Sequence, residues 1–343
     1  MNDHVNGNGK SGKRATIADV ARAAGVSRQT VSRAINDKGE ISDDTRERVL
    51  AAVREMGYRP SSLARGLKTS RSGLLGLVVP DIANPFFAET ARGATEAASD
   101  DGYTVLLCNT DEHPEREGAI LRQLEGQRVE GIVLISSRLS DGQLDQVLSG
   151  WVPTVLVNRE WQTAPGRGSV VTDERRAMGA AVDHLVERGH RRIGFVGCTA
   201  RSRSGRERQR GFLDACRRWD IEVDDAWCCE CAPYVDAGRE AALGLLSGRP
   251  ELSALLCYND LVAVGAVQAC RRLGLAVPDD CAIVGWDDIA LARYLSPPLT
   301  TLDMPKAQSG AEAVALLTRM IADDALVPEA ICLQAGLVIR QST

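Results

Sequence analysis

The sequence predicts a mixed α/β protein: an all-α head of short helices, followed by a two-lobed, doubly wound body. Three observations predict it. Between Thr16 and Gly57 runs a close succession of capped amphipathic segments. From Leu74 onward, strand-sized apolar runs alternate with helical stretches over roughly 200 residues. The charge is also segregated, with 14 Lys+Arg against 8 Asp+Glu in residues 1–72 and 27 against 38 in the remainder. A basic head on an acidic body suggests that the head alone meets a polyanion.

Residues 1–15 are rich in Asn, Gly and Lys and carry no apolar core of a signal peptide, so a disordered tail and a cytoplasmic protein are expected. Thr16 then caps a first helix, with Asp19 in its first turn and Ile17, Val20, Ala21 and Ala24 as its apolar stripe. Gly25 ends that helix with the sharp turn a helix-turn-helix needs. Ser27 caps a second helix, with Val31 and Ala34 or Ile35 turned inward. Arg28, Gln29, Thr30, Ser32 and Arg33 are left outward. These are residue types that read DNA: Arg grips guanine, Gln grips adenine, and short hydroxyls reach phosphates. A plain solvated helix face is the competing reading.

Ser42 caps a third helix with Val49, Leu50, Val53 and Met56 on its apolar side, and Gly57 and Pro60 close it. The small core expected from Ile17, Val20, Val31, Ile41, Val49 and Val53 is marginal alone, so dimerisation or DNA is expected to complete the order of the head. Residues 60–72 form a linker whose start, with Leu63, Ala64 and Leu67, has a helical pattern too short to hold in water.

The run TIADVARAAGVSRQTVSRAIN…ISDDTRERVLAAVREMGYRPSSLARGL resembles the head of the lactose-repressor (LacI/GalR) family over about fifty positions. The resemblance implies base reading by Arg28, Gln29 and Arg33, and phosphate contacts from Thr16, Ser27, Thr30 and Asn36. It implies that Ala64 and Leu67 lie in a DNA-dependent hinge helix, with Leu67 as a wedge in the minor groove. Gly66 stands where many relatives carry a better helix former, a weakening of up to ~1 kcal/mol per hinge.

In the body, LLGLVV, TVLLCN, GIVLIS and TVLVN read as parallel strands buried on both faces, with helices near 85–101, 114–126 and 141–148 between them. SVVTD, RRIGFVG, WCCECA, SALLCY and CAIVGWD continue the alternation. No GxGxxG, GxxxxGK[ST] or GxSxG occurs, and the four histidines (His4, His113, His184, His190) form no catalytic constellation, so no enzyme is expected. Of the ten cysteines, Cys108, Cys257, Cys281 and Cys332 sit in apolar runs as small buried hydrophobes. The Cys228-Cys229-Glu230-Cys231 cluster has the wrong spacing for zinc and reads as a plain strand. No metal or cofactor is expected. No apolar run approaches a membrane span.

Polar residues recur just after the strands: Asp81, Asn158-Arg159, Asp173, Asn259-Asp260 and Asp287-Asp288. Each singly reads as a turn or cap, and together they suggest a polar cleft at the strand ends. The body resembles the same family's periplasmic-binding-protein-like regulatory domain, from PDIANPFFAE to SPPLTTLDMP and the final strand. That resemblance implies that Phe86 and Phe87 wall an effector cleft and that Arg208 grips the effector. Asn259 and Asp287 would bond its hydroxyls; Asn158 stands where many relatives have Asp, and Pro233 where some have an aromatic. Such a set suits a sugar, sugar acid or sugar phosphate. Arg201, Arg203, Arg206 and Arg210 either favour an anionic effector or form a solvated helix face. The resemblance further implies a near-palindromic DNA operator bound by a homodimer. The absence of trailing leucine heptads after LVIRQST argues against a tetramer. A transport solute-binding protein, sharing the body, would need an export signal and no basic head.

Overall fold

The computed structural model describes residues 15–36, 41–58, 71–148, 152–162, 164–198 and 202–343. The chain divides into two units at Ser72–Gly73. In the first, helices α1 (Ile17–Ala24), α2 (Arg28–Ile35) and α3 (Asp43–Glu55) start at side-chain caps from Thr16, Ser27 and Ser42. Thr16 and Asp19 form a reciprocal capping box. Gly25 ends α1 at φ 64°, where a Cβ would strain the backbone. Val20, Ala21, Ala24, Val31, Ala34, Val49 and Ala52 make the core, with Ile17, Ile35, Ile41 and Val53 against it. Of the residues expected on the apolar side of α3, Met56 is exposed at its end and Leu50 is half-buried outside the cluster. Ala64 and Leu67, and with them the hinge, lie outside the described residues.

The second unit holds two parallel sheets. Lobe 1 contains β1 (Leu74–Val79), β2 (Thr104–Asn109), β3 (Gly131–Ile135), β4 (Thr154–Val157), β5 (Arg167–Thr172) and β11 (Ile331–Leu333), in the order β11-β5-β4-β3-β1-β2. Lobe 2 contains β6 (Ile193–Cys198), β7 (Cys228–Cys231), β8 (Ala254–Cys257) and β9 (Ala282–Val284), in the order β7-β6-β8-β9. An antiparallel pair, β10 (Thr301–Asp303) and β12 (Gly336–Val338), completes the body.

Strand alternation buries both faces of lobe 1. Leu75, Leu77 and Val79 join Val133, Ile135, Val155 and Val157 in one cluster, while Val78 joins Ile132, Leu134 and Leu156 in another. Helices α4 (Pro85–Asp100) and α11 (Lys306–Ala322) cover the first face, and α5 (Pro114–Gly126) and α6 (Asp141–Val147) the second. α4 and α11 cross closely: a Cβ on Gly93 would lie 2.0 Å from the Ala307 carbonyl oxygen, and one on Gly310 2.0 Å from that of Thr90. In lobe 2, α7 (Glu174–Glu187) and α8 (Arg203–Arg218) lie on one face, and α9 (Val235–Gly248) and α10 (Asp260–Leu273) on the other.

Three expectations need correction. β2 is an edge strand, not buried on both faces, and its Leu107 is 48% exposed. Cys332 is exposed on the other edge strand, and Cys108 is half-buried. β10, β11 and β12 were not separately predicted, because three-residue strands carry too little periodicity to read. The chain passes between the lobes at Thr172–Glu174, Asp303–Lys306 and Leu333–Gly336.

Candidate nucleic-acid interface and ligand cleft

In the head, α2 presents Arg28 and Gln29 exposed at its first two positions, with Thr30 and Arg33 half-buried. The hydroxyls expected at phosphates also serve the fold. Ser27 Oγ accepts from the Thr30 N–H at 3.1 Å and lies 2.9 Å from the Thr30 hydroxyl. The Thr16 hydroxyl donates to Asp19 Oδ2 at 2.7 Å. Asn36 caps the end of α2, its amide donating to the Ser32 carbonyl at 2.7 Å. These caps fix the recognition face rigidly, because each satisfies an orphan backbone group at a helix end.

In the body, Phe86, Phe87, Asn158, Arg208, Asn259 and Asp287 all line one cleft between the lobes. The phenylalanines open α4, edge to face at 5.2 Å between ring centroids. Arg208 on α8 is 4% exposed. Its Nε and Nη2 donate to Glu174 Oε1 at 3.2 and 3.0 Å, and its Nη1 donates to the Tyr258 carbonyl at 2.6 Å. The guanidinium also lies over the rings of Tyr258 and Trp286, at 4.7 and 4.3 Å. Asn259 caps α10, accepting from the Val262 N–H at 2.8 Å and donating to the Pro233 carbonyl at 3.3 Å. Asn158 donates to the Ser136 hydroxyl at 2.9 Å.

Burial drives the Asp287 carboxyl well above its ordinary range, against the pull of Arg208 and Lys306 and with the push of Asp260. A protonated Asp287 donates as well as accepts hydrogen bonds. Beneath it, Asp260 accepts from the Thr301 hydroxyl at 2.5 Å and the Ile289 N–H at 2.8 Å, and burial lifts its pKa to about 7. Lys306 Nζ donates to the Asp287 and Asp288 carbonyls at 2.5 and 3.2 Å.

Sequence reasoning missed Arg138, Glu112, Ser136 and Tyr258, which share the cleft. Arg138 Nε and Nη2 fork onto Glu112 at 2.5 and 3.0 Å. The Arg138 backbone N–H donates to Glu117, a buried carboxylate that also accepts from Ser137. The backbone marks two of these four missed residues, Glu112 and Ser136. Eight non-glycine residues among those described have positive φ. Four of them line the cleft: Glu112, Ser136, Asn158 and Asp287. Of the other strand-end residues, Asp173 caps α7. Of the arginines named beside Arg208, Arg201 lies outside the described residues. Arg210 pairs with Glu207 in the helix-face manner.

The described residues include no group of three or more side chains suited to a metal ion, and no helix long and apolar enough to cross a membrane. Cys228 packs against one core while Cys229 and Cys231 pack against another, as alternation on a strand requires. His184 bonds the Thr343 hydroxyl at 2.8 Å and His190 the Ser253 hydroxyl at 3.0 Å, both structural contacts.

The profile of bacterial regulatory proteins of the lacI family matches residues 16–61, and that of the periplasmic binding protein-like domain matches residues 182–343. The HTH-type transcriptional regulator DegA of Bacillus subtilis (strain 168) is 35% identical over 333 residues, spanning 96% of this chain and 98% of DegA. The chain belongs to the lacI family of bacterial regulatory proteins. Solved lacI-family structures agree. A Lac repressor dimer bound to operator and the anti-inducer ONPF superposes with a TM-score of 0.87 at 27% identity, over 96% of this chain and 99% of that one. A CelR–cellobiose complex does so at 0.73 and 30%, over 96% and 100%. This lacI-family chain is therefore a DNA-binding transcriptional repressor with an effector-binding body, and not an enzyme.

Proposed function

We propose that the chain binds a near-palindromic operator as a homodimer, and that a sugar or sugar derivative in the interlobe cleft sets its grip. On this reading residues 16–59 are the DNA-binding head, 60–72 the hinge and 73–343 the effector-binding and dimerisation body. Arg28, Gln29 and Arg33 read base edges, while Thr16, Ser27, Thr30 and Asn36 face phosphates. Ala64 and Leu67 belong to the hinge, where Leu67 wedges into the minor groove. The operator-bound Lac repressor dimer, similar over nearly the whole chain, supports this half of the reading.

The effector half rests on one observation: Phe86, Phe87 and Asn158 from lobe 1 meet Arg208, Asn259 and Asp287 from lobe 2 across a single cleft. Aromatic walls with convergent donors and acceptors suit a ligand carrying both apolar faces and hydroxyls. The CelR–cellobiose complex supports that ligand class. The enclosed part of the cleft has space for little more than a water molecule. A sugar therefore requires the lobes to part and close again, a movement worth about 1–3 kcal/mol of coupling to the heads.

In vitro selection of bound DNA from random duplexes, followed by a sugar panel against the selected site, tests both halves. A near-palindrome with a reproducible centre, and at least one sugar that shifts its affinity, is the expected result. No recovered motif across the panel would overturn the operator reading, and a motif indifferent to every sugar would overturn the effector class.

A further inference from the structure

Next to the inner cleft lies a second trough, walled from lobe 1 by Arg138, Asp141 and Arg159 and from lobe 2 by Arg203 and Arg206. Arg138 borders both spaces, so the trough continues the cleft. Two of its four guanidinium groups are already paired, Arg138 with Glu112 and Arg159 with Asp141, while Arg203 and Arg206 add positive charge from α8.

Arg159 is the second observation. Its side chain is 7% exposed, Nη1 donates to the Leu139 carbonyl at 2.5 Å, and Nη2 donates to Asp141 Oδ1 at 2.5 Å. Its Nε is buried with no acceptor among the described residues. A buried charged group with an unsatisfied donor is costly, and an acceptor brought by a ligand relieves it. Asp141 senses the nearby cations: although exposed, its carboxyl is held below the ordinary range, first by the Arg159 bond, with the charges of Arg203 and Arg206 adding. Arg203 is moreover the first residue of the sixteen-residue α8, whose N-terminal end favours negative charge.

We propose that this trough is an anion-binding subsite that takes a phosphate group. Resting on the effector reading above, the subsite holds the phosphate of a ligand whose hydroxyl-bearing part enters the cleft, or phosphate as the free ion. Planar guanidinium forks on opposite lobes match phosphate oxygens and draw the lobes together when occupied.

Isothermal titration of the full-length protein tests the subsite, with inorganic phosphate run against chloride at equal ionic strength. Expected is saturable phosphate binding, weakened at least tenfold by Arg203→Ala/Arg206→Ala. The pair Arg210→Ala/Arg217→Ala, at exposed positions on the same helix and ion-paired to Glu207 and Asp214, should leave it unchanged. Glucose 6-phosphate binding tighter than phosphate alone assigns the group to an ester, and equal affinity assigns it to the free ion. No saturable binding beyond chloride, or equal loss in both double variants, would overturn the subsite. If phosphate fails while a neutral sugar still shifts operator affinity, the trough is lost and the cleft reading survives; if both fail, both are lost.

Discussion

Arg28 on α2 and Arg208 in the cleft are the same residue type in opposite surroundings. Arg28 is exposed and has no ion pair among the described residues. Arg208 is enclosed, bonded to Glu174 and the Tyr258 carbonyl, and stacked against two aromatic rings. The difference follows from what each surface meets. DNA brings its own negative charge, so a reading helix leaves its cations in water until they are used. A cleft that opens and closes must be stable when empty, and a buried cation without a partner costs several kcal/mol. The body therefore neutralises Arg208 internally, and the head leaves Arg28 exposed.

The largest effect expected from this contrast is at Glu174. Glu174→Gln leaves Arg208 buried without its carboxylate and should lower stability by about 3–5 kcal/mol in denaturant titration. A loss below about 1 kcal/mol would mean that the Tyr258 carbonyl and the rings suffice, and the contrast would weaken. Arg28→Ala should leave the melting temperature unchanged and cost about 1–3 kcal/mol of preference at one base position, read by competition between operator variants. A drop in melting temperature would give Arg28 a role in the fold.

Asp260 probes the buried acids. Its folded carboxyl titrates near pH 7 against an ordinary value of 3.8, so the folded chain takes up the proton first as pH falls. Its stabilisation is present at low pH and lost as pH rises through about 7. Between pH 8 and 6 the parent should gain stability relative to Asp260→Asn, by at most about 1.4 kcal/mol per pH unit. Parallel pH profiles would mean that Asp260 stays ionised. The smallest change is Ser27→Ala, which removes the α2 cap and should cost about 1 kcal/mol of head stability. An unchanged head would leave Ser27 to phosphate contact alone.

Much of this architecture is legible in short windows of sequence. Parallel strands buried on both faces are continuous apolar runs, and caps such as Thr16 and Ser27 announce themselves within four residues. The six expected cleft residues were readable because strand ends and a family pattern coincide there. Their partners were not. Glu112 stands 26 residues from Arg138, and Glu174 stands 34 from Arg208. Periodicity carries no information about which distant carboxylate will face a guanidinium. Edge position is equally silent in the sequence: TVLLCN resembles its neighbours in composition, yet β2 ends the sheet and its Leu107 is exposed.

The pairing of β11 with β5 has a consequence during synthesis. Lobe 1 is started first, but its sixth strand, Ile331–Leu333, and its covering helix, Lys306–Ala322, emerge only after all four strands of the lobe 2 sheet. At about 5–20 residues per second, a ribosome needs on the order of ten seconds or more to pass from β5 to β11. Throughout that interval the strand edge of Arg167–Thr172 that will receive β11, and the sheet face that Leu316, Leu317 and Met320 will cover, have no native partner. The nascent chain thus completes its second sheet before its first, and the unfinished sheet is the segment that a chaperone would meet.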